Sequence, residues 1–187
     1  ALSLGEVRDA RAVDALLPAL DDPDAQTRIY AVWALGSIGD PRAAAGLIPL
    51  LDDLDAGIRK MTAYSLGALD SPRVIGPLRA LLNDPVEDVA WNAALALARR
   101  QDRAGLPLLA RMLDRAYLDR VRRPDDAGRP RSLTEDQKEE AILNALRSIA
   151  RLRDRERLDA LRALRDSDPS LRVRQAAFET LDTIEKP

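Results

Sequence analysis

The chain has 187 residues, of which 46% are hydrophobic and 32% charged, enough to build a core and to exclude a wholly disordered chain. It contains no cysteine and no histidine, which excludes disulfides, thiol nucleophiles, Fe–S clusters, Ser-His-Asp triads and His-based metal centres. The net charge of −2 is unevenly spread: residues 1–98 carry 8 basic and 14 acidic groups, residues 99–131 carry 10 against 5, and residues 132–187 carry 11 against 12.

Alanine and leucine occur 31 times each, and only six residues are aromatic. Ala and Leu head the helix-propensity order while strand formers are scarce, so helices are expected. Arginine outnumbers lysine 26 to 3, a bias read as coding composition rather than function. No apolar run approaches the roughly 18–20 residues of a membrane span, so membrane insertion is not expected, and no signal peptide is visible. The compartment stays unknown from the sequence, with a soluble chain expected and the cytoplasm slightly favoured.

A repeat organises the chain. Leu4-Gly5, Leu35-Gly36, Leu66-Gly67 and Leu97-Ala98 recur at a spacing of 31, and the series resumes at Ile149-Ala150 after 52 residues, one repeat plus 21. The last unit ends near Leu181 and runs one residue long. Turns recur in phase at Asp40-Pro41-Arg42, Ser71-Pro72-Arg73 and Asp102-Arg103. A second set recurs at Asp22-Pro23, Asp53 and Asp84-Pro85, with Asp168-Pro169 in the last unit. Asp22, Asp53, Asp84 and Asp168 are therefore read as turn and N-cap residues rather than metal ligands.

Each unit predicts two helices. The first runs as in Asp40 to Asp52, with Ala44, Leu47, Ile48 and Leu51 at i, i+3, i+4, i+7. The second runs as in Ala25 to Ile38, with Ala31, Ala34, Leu35 and Ile38 on one stripe. Glycine after Leu35 and Leu66 is placed near a helix end. One helix pair cannot bury its own apolar face, so the pairs must stack. The fold expected is all-α, an α-solenoid of stacked antiparallel helix pairs.

The domain expected is residues 1–187, with five repeats, the first truncated at 1–5. The chain thus opens inside a repeat, which predicts a missing upstream helix pair or a longer parent protein. The 21 extra residues predict an insertion at 117–133 within the fourth repeat. The first helix of that repeat is extended through Tyr117 and Leu118, a loop follows from Arg122 to Arg131, and Ser132-Leu133-Thr134-Glu135 reads as a capping box restarting the second helix.

The string Thr27-Arg28-Ile29-Tyr30-Ala31-Val32-Trp33-Ala34-Leu35-Gly36-Ser37-Ile38-Gly39-Asp40-Pro41 resembles HEAT repeats of the short phycobilin-lyase-like kind. Ile58-Arg59 and Val173-Arg174-Gln175-Ala176-Ala177 match the same pattern. Ala90 and Ile142 depart where the pattern has Arg, and Ala98, Ala150 and Asp182 where it has Gly. The resemblance implies that second helices line a concave surface and that Arg28, Arg59 and Arg174 tie neighbouring repeats together.

Aligned by register, the concave positions hold both tryptophans and two of the three tyrosines, whereas core positions hold Ala, Leu, Ile and Val, with Phe178 the one aromatic among them. Clustered large apolar side chains on one face mark a contact surface, and Trp, Tyr and Arg dominate binding hot spots. The candidate protein-binding residues are Tyr30, Trp33, Lys60, Met61, Tyr64, Trp91, Asn92 and Leu95, followed by a basic section of Arg99, Arg147 and Arg151. The competing reading is that these aromatics fill space between adjacent second helices.

The function expected is a non-catalytic scaffold binding a protein or peptide partner, with no cofactor and no metal, monomeric or part of a longer chain. Nucleic acid or another polyanion, held by the Arg-rich segment 99–131, is the less favoured alternative, because five aspartates are interleaved. A subunit of a chromophore lyase or another enzyme complex is the third.

Overall fold

The computed structural model describes residues 10–124 and 128–186, and the chain divides into two compact units, Ala1–Gly105 and Leu106–Pro187. The repeat signature at Leu4-Gly5 and part of the predicted loop, 125–127, lie outside the described residues.

In the first unit, the helices in chain order are α1 (Val13–Leu16), α2 (Ala25–Ile38), α3 (Ala44–Leu47), α4 (Ala56–Leu66), α5 (Ile75–Ala80) and α6 (Glu87–Arg99). The long second helices α2, α4 and α6 pack in series, α2 on α4 and α4 on α6. Leu35, Leu47, Leu66, Leu69, Leu78 and Leu97 are fully buried in the core between the two helix layers. The predicted stripe of α2 faces that core, with Ala31, Ala34 and Leu35 buried and Ile38 packed at its edge.

The first helices differ from expectation. Asp40 to Asp52 is not one helix: a 3-10 turn at Pro41–Ala43 leads into α3, and a second 3-10 segment follows at Ile48–Asp52. Pro49 explains the second switch, because proline has no N–H to donate to the preceding turn and its ring crowds the carbonyl four residues back. Leu17–Asp21, with Pro18, repeats the arrangement after α1.

Capping also shifts. Three second helices, those beginning at Ala25, Ala56 and Leu171, are capped by a side chain two residues beyond the repeated turn aspartate, whereas Val86, at the same place before α6, makes no such cap. Asp24 accepts from Thr27 N, Asp55 from Gly57 N and Ile58 N, and Ser170 from Val173 N. Asp22, Asp53, Asp84 and Asp168 instead accept from the N–H two residues on, at Asp24, Asp55, Val86 and Ser170. They are Asx-type turn residues.

Gly36 lies inside α2, and Gly39, with φ of 76°, is the left-handed cap that ends the helix. Gly36 has another cause: a Cβ there would sit 2.8 Å from Ser65 Cα on α4, and one at Gly67 would sit 2.8 Å from Ala96 Cα on α6. These glycines let consecutive second helices approach.

The second unit holds α7 (Leu106–Met112), α8 (Arg115–Leu118), the antiparallel strands β1 (Arg122–Pro124) and β2 (Pro130–Ser132), then α9 (Glu135–Arg151), α10 (Leu158–Ser167) and α11 (Leu171–Glu185). The strands pair Arg122 with Ser132, Arg123 with Arg131 and Pro124 with Pro130. The first helix of the fourth repeat does not extend through Tyr117 and Leu118. Asp114 interrupts it by accepting from Ala116 N at 2.8 Å and starting α8. Tyr117 and Leu118 are nevertheless buried, and the Arg111 guanidinium stacks 4.4 Å over the Tyr117 ring. The capping box falls two residues after the predicted one, between Thr134 and Gln137, because Ser132 is committed to β2. Phe178, read as a core residue, is 55% exposed.

Candidate functional site

The second helices are held in place by arginine–aspartate bonds between repeats. On α2, Arg28 donates from Nη1 to the Asp22 and Pro23 carbonyls while its Nε lies 3.3 Å from Asp53. On α4, Arg59 repeats this with the Asp53 and Leu54 carbonyls and grips Asp84 twice, Nε to Oδ2 at 2.8 Å and Nη2 to Oδ1 at 3.1 Å. Two parallel charge-assisted bonds fix a guanidinium in plane with its carboxylate. The bond to Asp84 raises the Arg59 pKa. Burial pushes the Asp84 carboxyl up, but the Arg59 bonds and the Val86 N–H outweigh it and hold the group below the ordinary carboxylate value.

In the second unit Ile142 stands where the register has Arg, and Arg115 on α8 supplies the missing cation. It donates to Asp168 through Nε and Nη2, both at 2.8 Å, and to Glu135 through Nη1 at 3.0 Å. Sequence reasoning missed this role; the gap at Ile142 beside an Arg-rich stretch was the only signal.

With α2, α4 and α6 in register, residues 31 apart share a face. Tyr30 and Tyr64 are 39% and 46% exposed, and Trp33, Lys60, Met61, Asn92, Leu95 and Arg99 are half-buried. Trp33, Gly36, Ser37, Ile38 and Gly39 of the first repeat line a pocket of about 240 Å³ with Tyr64 and Ala68 of the second. The Arg99 guanidinium lies 4.3 Å over the Tyr64 ring and donates to the Tyr64 carbonyl at 3.3 Å. An aromatic wall and a cation thus meet at one edge of the pocket. The Asn92 side chain donates to the Asp88 carbonyl of its own helix at 2.8 Å.

Trp91 corrects the sequence reading. It is 4% exposed, so it is an interior residue of α6 rather than a surface anchor. Its register counterparts Ile29 and Lys60 are half-buried, so the burial of Trp91 does not follow from helical phase alone.

Arg147 and Arg151 are exposed on α9, in the second unit. Arg147 donates to Asn144 Oδ1 at 3.1 Å and lies 3.9 Å from Glu140. Several arginines of 99–131 are engaged within their units: Arg100 with Asp70, Arg115 as above, and Arg122 with the Asp119 carbonyl. Among the described residues no helix is long and apolar enough to cross a membrane, and no group of three or more acidic side chains is placed to hold a metal ion.

The chain is similar in fold to the complex of CpcE and CpcF of phycocyanin lyase from Nostoc sp. PCC7120, with a TM-score of 0.68 and 23% identity over 92% of this chain. It spans 65% of that chain's length. A designed armadillo repeat protein matches with a TM-score of 0.57 and 22% identity, covering 98% of this chain and 91% of the other. Another, solved in complex with the peptide (KR)4, matches at 0.59 and 21%, covering 97% and 90%. No curated protein sequence matches the chain. The family model described as HEAT repeats matches residues 1–65 and 44–124, well over half the chain. The solenoid of paired helices, the 31-residue period and this match agree, and the chain belongs to the family of HEAT repeats.

Proposed function

We propose that the protein is a non-catalytic HEAT-repeat scaffold that binds a protein or peptide segment along the second helices of its first unit. The observation that carries this reading is the pocket between Trp33 and Tyr64 with Arg99 stacked at its edge. A pocket of about 240 Å³ takes one apolar or aromatic side chain, and the adjoining cation suits a carboxylate on the same segment. Tyr30, Met61 and Leu95 extend the apolar contact, and Lys60 adds a second positive charge. Trp91, being buried, is not among the contacts in this reading.

The peptide complex of a designed armadillo repeat protein of similar fold supports a peptide-binding role for such a surface. In our reading residues 1–187 form one repeat domain with the insertion at 117–133, and Arg147 and Arg151 offer further contacts for an acidic partner. The similarity to the CpcE–CpcF complex keeps a lyase-subunit role as the second reading, tested by absorbance of a copurified chromophore.

The test is affinity capture from a lysate of the source organism, with the parent chain and a Tyr30→Ala/Tyr64→Ala variant of equal helicity. A protein retained by the parent and lost by the variant supports the proposal. Nucleic acid retained equally by both contradicts it and moves the site to the arginines of 99–131, where a steep loss of affinity with salt is the signature.

A further inference from the structure

A cleft of about 640 Å³ opens between the second and third repeats, at the turns that lead from the first helices into the second ones. The Trp33–Tyr64 pocket lies elsewhere, near the C-terminal ends of α2 and α4. The walls of the cleft are apolar, with Ile48, Leu51 and Leu54 from one repeat and Pro77, Ala80 and Leu81 from the next. The equivalent place between the first and second repeats is filled. There Leu17 and Leu20 lie over Gly46, so closely that a Cβ on Gly46 would sit 2.6 Å from the Leu17 side chain. In the register Ile48, Leu51 and Pro77 stand for Leu17, Leu20 and Gly46. A proline ring in place of a bare Cα holds the facing side chains off, and the cleft is the space that remains. On its rim Leu54 is 101% exposed, where the register has Pro23 and Pro85. A lone exposed leucine is ordinary, but this one continues the apolar wall of a cleft.

The turns around the cleft are acidic. Residues 21–24, 52–55 and 83–86 hold seven aspartates and no lysine or arginine. Arg28 and Arg59 reach back to the Asp53 and Asp84 carboxylates. The other five have no ion-pair partner among the described residues. Asp52, exposed on the cleft, has no side-chain hydrogen bond either. It ends the 3-10 segment Ile48–Asp52, where the outward carbonyls favour a cation over a carboxylate.

We propose that this cleft is a second docking site, independent of the Trp33–Tyr64 pocket, for a partner segment that carries a bulky apolar side chain next to a lysine or arginine. The apolar side chain enters against Leu54 and Pro77, and its basic neighbour pairs with Asp52 at the rim. The Arg59–Asp84 pair in the lining is already satisfied and takes no part, since Nε and Nη2 of Arg59 are on Asp84 and Nη1 is on the Asp53 and Leu54 carbonyls. An acidic segment meets like charge at the same rim, so the charges select the sign of the partner while the apolar walls supply the contact.

A phage-displayed library of random peptides selected on the full chain tests this, with Leu54→Ser and Asp52→Arg chains of equal helicity as counter-targets. Both positions are exposed, so neither change costs core packing. Peptides retained by the parent and lost by both variants should carry Lys or Arg beside Leu, Ile, Met or Phe. A synthetic copy of the leading peptide should bind each variant about tenfold or more weakly than the parent. The proposal is overturned if no peptide separates the parent from the two variants, or if the peptides so separated are acidic or uncharged. It is overturned equally if those peptides are also lost on a Tyr30→Ala/Tyr64→Ala chain, which would place them at the other pocket.

Discussion

Arg115 grips Asp168 through two parallel 2.8 Å hydrogen bonds, and so makes, from a helix outside the arginine register, the contact for which Ile142 has no cation. The Asp168 side chain is 2% exposed and Arg115 is 21% exposed, so this pair is largely removed from solvent. Breaking such a pair leaves a buried carboxylate without its counter-charge, which costs more than the pair itself contributes. Arg115→Ala should therefore destabilise the protein by about 2–4 kcal/mol, read as a lower urea midpoint. Arg42→Ala, at an exposed pair with Asp40, should leave the midpoint unchanged.

Asp84 gives a pH dependence with a defined sign. Its folded pKa is held below the ordinary value by Arg59 and the Val86 N–H, so the unfolded chain takes up the proton more readily. The stability it contributes is fully present above the unfolded value near 3.9 and is lost as pH falls through the folded pKa. Urea denaturation should show a steeper loss on acidification in the parent than in Asp84→Asn, which is the less stable of the two at neutral pH. Equal slopes would show that the Arg59 pair contributes nothing to acid sensitivity.

Two glycines predict opposite outcomes for one substitution. Gly36→Ala drives a Cβ toward Ser65 and should cost about 1–3 kcal/mol through overpacking. A Cβ at Gly76 meets nothing within 4 Å in α5, so Gly76→Ala should stabilise by about 0.5–1 kcal/mol through helix propensity. Thermal melts of the two variants should move in opposite directions.

Trp91 and Tyr30 separate packing from recognition. Trp91→Ala empties a buried site on α6 and should cost about 3–5 kcal/mol. Tyr30→Ala removes an exposed ring and should change stability by less than about 0.5 kcal/mol while weakening partner binding. A Tyr30→Ala variant that melts far below the parent would mean that Tyr30 is structural.

The repeat was legible because period and patterning carry it: Leu35, Leu66 and Leu97 recur at 31 residues, and each is buried. The bounds of α2 were legible for the same reason. Local breaks were less so. Pro49 turns a helix into a 3-10 segment, and Asp114 starts a new helix, although the apolar pattern runs smoothly through both. At the candidate site, register placed Tyr30, Trp33, Tyr64 and Arg99 together but could not set the depth of each ring. Trp91 and Phe178 were therefore read the wrong way round, since burial depends on what lies across the helix, and periodicity along one helix does not contain that.

The account stands most directly on whether the Trp33–Tyr64 pocket meets a partner. The decisive measurement places a photo-crosslinking benzoylphenylalanine at position 64, and in a control at the exposed Arg73, with both irradiated in lysate of the source organism. The account predicts a discrete protein adduct from position 64 that is absent from position 73. Nucleic-acid adducts alone, or the same adducts from both positions, would contradict it.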